Sequence, residues 1–87
     1  MDDFKRMAIF AAVVRHGSMT AAARSLGMSP SAVSQQVRQL ERQGGVTLMH
    51  RTTRQLTLTD AGPRSYAQSA LMVEAAELLA LFQWLTT

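Results

Sequence analysis

The stretch "MSPSAVSQQVRQLERQ", Met28 to Gln43, decides the fold. Ser29 is suited to cap a helix whose first residue is Pro30, where a missing N–H costs nothing. Val33, Val37 and Leu40 then recur at helical spacing as an inward stripe, so the pattern predicts a helix from Pro30 to about Gln43. At about 100° per residue, Ser31, Ser34, Gln35, Arg38 and Arg42 fall in a sector of roughly 100° opposite that stripe. Glu41 lies at the edge of this sector. Surface helices usually favour Glu and Lys pairs four residues apart, and this face has Ser and Gln instead. Serine and glutamine donate and accept, arginine grips guanine bidentately, and none of the five repels a phosphate. Such a face suits the floor of a DNA major groove.

Working upstream, Phe4, Met7, Ala8, Ala11 and Val14 have the three-four spacing of an amphipathic helix that stops at Gly17, which predicts a helix over about 3–16. Ser18 can cap a short second helix over about 19–26, ended by Gly27. The alanine run Ala21 to Ala23 leaves room there for another helix to approach closely. Downstream, Gly44 and Gly45 break the third helix. "VTLMHRTTRQLTLT" follows, with β-branched residues on either side of "RTTR", and reads as a two-stranded hairpin with a basic tip. Thr59 could cap a last helix from Asp60 onward, in which Leu71, Ala75, Leu78, Phe82 and Leu85 recur at four-three spacing. Such a helix is longer than a small domain is wide, because each residue adds about 1.5 Å.

Helix, helix, tight turn, helix, hairpin is the order of a winged helix-turn-helix. The expected fold is therefore mainly α: a winged helix-turn-helix over residues 1–59 and a linker and dimerisation helix over 60–87. Ala22, Leu26, Met28 and Val33 are expected to lock the second and third helices together. Arg51 and Arg54 flank Thr52 and Thr53, offering guanidinium forks and hydroxyls to a sugar-phosphate backbone or a minor groove.

Composition narrows the function. The 87 residues suit one small domain, and the absence of cysteine excludes disulfides, thiolate zinc sites and thiol catalysis. The net charge of +3 divides unevenly: residues 1–64 hold all nine basic side chains, eight of them arginine, whereas residues 65–87 hold only Glu74 and Glu77. That arginine-rich balance favours a nucleic-acid partner. The longest apolar run towards the C-terminus is "LLALF", and the N-terminus begins acidic, so neither a membrane span nor a leader is expected and the location should be cytoplasmic. His16 and His50 stand far apart without a carboxylate at the spacing of a metal site or triad. No enzyme activity and no cofactor or metal are expected.

The segments "AAARSLGMSPSAVSQQVRQLE" and "HRTTRQLTLTDAG" closely resemble, at the same spacing, the N-terminal DNA-binding domain of LysR-type transcriptional regulators. The resemblance covers nearly the whole chain. It implies that the third helix enters the major groove of double-stranded DNA, that the wing reaches the flanking minor groove, and that the last helix pairs two chains into a homodimer. Carried over by position, base contacts fall on Pro30, Ser31, Ser34, Gln35 and Arg38. Contacts to backbone or minor groove fall on Arg51, Thr52, Thr53 and Arg54, with Arg42 on the same face and Ser18 and Thr20 as phosphate candidates at a helix N-terminus. Leu71, Ala75, Leu78, Phe82 and Leu85 would form the dimer seam.

Two departures from the family pattern carry structural expectations. Gly44 stands where a leucine is usual, which should loosen the end of the third helix, and Pro63 should make the last helix start late or kink. Family members also have a C-terminal effector-binding domain, so within these 87 residues no small-molecule effector site is expected. A winged helix that binds protein rather than DNA is the alternative reading. The two differ in their response to salt, since each neutralised phosphate releases condensed counterion.

Overall fold

The computed structural model describes the backbone of residues 2–51 and 56–86, and side chains over 4–50 and 56–76. Its elements run α1 (Asp2–His16), α2 (Met19–Leu26), α3 (Pro30–Gly44), β1 (Met49–Arg51), β2 (Leu56–Leu58) and α4 (Gly62–Thr86). This is the expected winged helix-turn-helix followed by a long helix.

The helix boundaries follow from local chemistry. Ser18 and Ser29 both have extended backbones, and their hydroxyls accept the N–H of Ala21 (3.2 Å) and Ala32 (3.1 Å). Each satisfies one of the donors that a helix N-terminus leaves orphaned. At the other end of α2, Gly27 takes the left-handed φ of 67° and Met28 N–H reaches back to the Ala23 carbonyl at 2.9 Å. Residues with a side chain rarely adopt that conformation, and it lets α2 and α3 meet through a turn of only three residues. Gly45 repeats the device after α3, with Val46 N–H on the Glu41 carbonyl at 3.1 Å.

α1 is the central element and packs against α2, α3 and α4. Phe10 and Val13 of α1, Ala22 and Ala23 of α2, Val33 and Val37 of α3, and Leu48 and Met49 at the start of the wing form one buried cluster. The predicted inward stripe of α3 is thus its buried side, with Leu40 half-buried at its margin. Leu26 is partly exposed and Met28 only lines the cluster, so the α2–α3 lock rests chiefly on the alanines and Val33. A side-chain bond from Arg6 Nε to Gln36 Oε1 at 3.3 Å adds a polar tie between α1 and α3.

The wing is an antiparallel pair in the register Met49 with Leu58, His50 with Thr57 and Arg51 with Leu56. Thr59 does not cap α4 as the sequence suggested. Its hydroxyl donates to the Thr47 carbonyl and its N–H to that of Leu48, which ties the end of the wing to its beginning. The last helix starts instead at Gly62, with Ser65 N–H bonded to the Ala61 carbonyl at 3.1 Å. Pro63 then occupies the second helical position, where its lack of an N–H removes no intrahelical bond. The late start expected from Pro63 is therefore the one observed.

α4 spans 25 residues and gives the molecule its 46 Å long axis. Tyr66 packs against the core and Ser69 is fully buried, while Leu71 and Ala75 are exposed. Beside Gly44 lies a cavity of about 110 Å³ whose walls include Met7, Leu40, Leu48 and Ser69. Among the described residues, no helix is long and apolar enough to cross a membrane.

Candidate nucleic-acid interface

The residues singled out on α3 do form one surface. Pro30, Ser31, Gln35, Arg38 and Arg42 are exposed, and Ser34 is half-buried among them. Val33 and Val37, fully buried on the opposite side, fix the rotation of the helix and hence the direction in which this face looks. The Ser29 cap and Pro30 fix where the helix begins, so Ser31, Ser34 and Gln35 occupy its first two turns.

Along its C-terminal half the face borders an open groove of about 780 Å³ between α3 and the segment leading into the wing. Gln35, Arg38 and Arg42 line one side, and Val46 and Thr47 the other. Arg38 and Arg42 bring two cationic, hydrogen-bonding side chains to this trough, which Glu41 also lines. The acid of this helix, Glu41, is only 9% exposed. Its Oε2 accepts the backbone N–H of Leu48 at 2.7 Å and of Met49 at 3.4 Å. Two of the donors that compensate its charge are therefore backbone groups of the segment leading into the wing.

Sequence reasoning assigned Glu41 no part, and it missed Val46 and Thr47 as walls of the groove. The signal available for Glu41 was its isolation as the sole acid of α3, at the edge of the polar sector. Its partners lie seven and eight residues further on, and they meet it only because Gly45 folds the chain back.

Around this face, Thr20 is exposed on the first turn of α2. The Ser18 oxygen already accepts the Ala21 N–H, which leaves its hydroxyl proton available to an outside acceptor. Arg51 ends β1. Its side chain, together with Thr52, Thr53 and Arg54, lies outside the described residues. Of the seam positions, Leu71 and Ala75 are exposed on α4, and positions 78, 82 and 85 continue the same helix with side chains outside the described set.

Comparison with known proteins fits this architecture. Residues 4–63 match the family described as bacterial regulatory helix-turn-helix protein, lysR family. The chain is 49% identical over 70 residues to a probable HTH-type transcriptional regulator, LtrA, of Klebsiella pneumoniae, which covers 80% of this chain and 23% of that protein. It is 53% identical over 68 residues to the HTH-type transcriptional activator AaeR of Escherichia coli K12, covering 78% of this chain and 22% of that one. The chain thus spans under a quarter of the length of these relatives. Among solved structures, the CbnR DNA-binding domain in complex with DNA superposes with a TM-score of 0.83 at 30% identity, covering 95% of each chain. Matched to the family over most of its length and to that domain in fold, this chain belongs to the LysR family of bacterial regulatory helix-turn-helix proteins.

Proposed function

We propose that the chain binds double-stranded DNA sequence-specifically, as the DNA-reading part of a transcriptional regulator and as a homodimer. The observation that carries this reading is the exposed face of α3, where Ser31, Gln35, Arg38 and Arg42 stand in the open with Ser34 half-buried between them. Ser31, Ser34, Gln35 and Arg38, with Pro30 at the entry, read base edges in the major groove. Arg42 sits further along the same face and takes a phosphate. The wing residues Arg51, Thr52, Thr53 and Arg54 hold the flanking backbone or minor groove, and Ser18 and Thr20 take a phosphate at the start of α2. The likeness to a domain solved on DNA supports this arrangement.

The azimuths on α4 support homodimerisation. Ser69 is buried against the rest of the chain, and Leu71 and Ala75 stand about 200° and 240° round the helix from it. Four-three spacing carries that outer azimuth on through positions 78, 82 and 85. One side of α4 serves its own domain, and the other is left to a second copy, which brings two α3 helices to two half-sites. A regulator acting on DNA in this way works in the cytoplasm.

Selection of bound duplexes from a random pool, followed by affinity measurements across a salt series, tests the proposal. A sequence-restricted pool should emerge, with log affinity falling linearly against log salt by about 0.9 for each phosphate neutralised. An unenriched pool, or binding indifferent to salt, would overturn it and favour a protein partner.

A further inference from the structure

We propose that Glu41 is a positioning residue that sets where the wing stands relative to the base-reading face of α3. The inference rests on the DNA-binding reading above and adds a residue to it. Glu41 sits on the last turns of α3, at the border of the groove lined by Gln35, Arg38 and Arg42. It is buried, and burying a carboxylate is costly unless hydrogen bonds compensate it. Those bonds come from the N–H of Leu48 and the N–H of Met49, the residues that lead into and begin β1. Its backbone carbonyl takes a third N–H, that of Val46. Three donors of the short segment between helix and wing thus converge on one residue.

That convergence has a consequence for DNA. Bases are read from Ser31, Ser34, Gln35 and Arg38, whereas the phosphate grip comes from the wing tip. The two can engage one duplex together only if the wing leaves α3 at a fixed angle and offset. A charge-assisted bond from a helix side chain to the backbone of the first strand fixes both, because it is short and directional. Thr59, bonded through its hydroxyl to Thr47 and through its N–H to Leu48, then carries the same constraint to the second strand. Glu41 acts through the wing and not as a base-reading residue: its Oε2 holds two backbone donors, and the side chain is largely buried in the wall of the groove.

The test compares the wild-type chain with Glu41→Gln, which keeps an accepting oxygen, and Glu41→Met, which keeps the length and loses the acceptor. Each is titrated against a duplex selected by the wild type and against the same duplex trimmed of the flanking base pairs whose protection depends on Arg54. The wild type should prefer the full duplex, and Glu41→Gln should keep that preference. For Glu41→Met the ratio of the two affinities should fall to within about twofold of unity, with affinity for the trimmed duplex held within the same margin of wild type. A merely structural role lowers both affinities in proportion, and an unchanged ratio in Glu41→Met would overturn the proposal. Should Glu41→Met not fold, the ratio read on Glu41→Asp, one methylene too short to reach, decides in the same way. If the wild type selects no duplex at all, the DNA reading falls and this inference with it, an outcome distinct from an unchanged ratio.

Discussion

Two single residues show how tightly the junction between wing and α4 is built. A Cβ on Gly62 would come within 2.6 Å of the Leu48 carbonyl oxygen and 2.7 Å of Leu58 Cβ, so no side chain fits while backbone and wing hold their positions. Gly62→Ala should therefore destabilise the fold by about 1–3 kcal/mol through overpacking. Thermal unfolding at fixed protein concentration reads this as a fall of about 4–8 °C for each kcal/mol, and an unchanged midpoint would mean that the junction gives way freely. Seven residues on, Ser69 is 1% exposed and its hydroxyl has no hydrogen-bond partner among the described residues. A buried hydroxyl without a partner bears a desolvation cost and returns nothing for it. Ser69→Ala should accordingly raise stability by about 1 kcal/mol, visible as a higher denaturant midpoint with an unchanged slope. A lower midpoint would show that the hydroxyl is satisfied in solution.

At the scale of elements, α3 and the wing divide the work on the proposed reading, and their variants should differ in kind. Gln35 is exposed on the first two turns of α3, where an amide can bond a base edge, so Gln35→Ala should relax preference at one position of the site by about 1–3 kcal/mol. Arg54→Ala should instead weaken binding on every sequence and flatten the salt slope by about one unit for the lost phosphate contact. Profiles of selected sites and salt titrations for both variants separate the two; equal losses on all sequences for both would abolish the division. The elements themselves were largely legible in the sequence, because the caps at Ser18 and Ser29 and the terminators at Gly27 and Gly45 act through neighbours three to five residues away. Thr59 misled because its hydroxyl had a second suitor, the Thr47 carbonyl twelve residues earlier, which only the closed wing brings within reach. Glu41 was illegible as a tie to the wing for the same reason: its partners depend on the reversal at Gly45. Local chemistry can be read along a chain, whereas bonds closed by tertiary folding cannot.

At the scale of the whole molecule, the length of α4 poses the question of what covers it. The helix runs along much of the 46 Å long axis, while the other two dimensions are 25 and 19 Å. Among the described residues, it is the α1-facing side of the helix that packs most extensively within the chain. Leu71, 67% exposed, stands on the other side, and burying an apolar side chain of that size is worth about 1.5–3 kcal/mol. A second copy offers the same stripe, and a two-fold pairing is self-complementary without any further adaptation. Sedimentation of the wild-type chain at micromolar concentration should therefore give a dimer, and Leu71→Asp should shift it towards monomer by setting two like charges near the seam. The DNA consequence separates dimer loss from misfolding. A properly folded monomer retains α3 and the wing, so Leu71→Asp should bind a single half-site as the wild type does and lose the added affinity for two half-sites spaced by one helical turn. Equal loss on single and paired half-sites would place Leu71 in the stability of the domain, and a wild-type chain that sediments as a monomer and occupies one half-site would remove the dimer altogether.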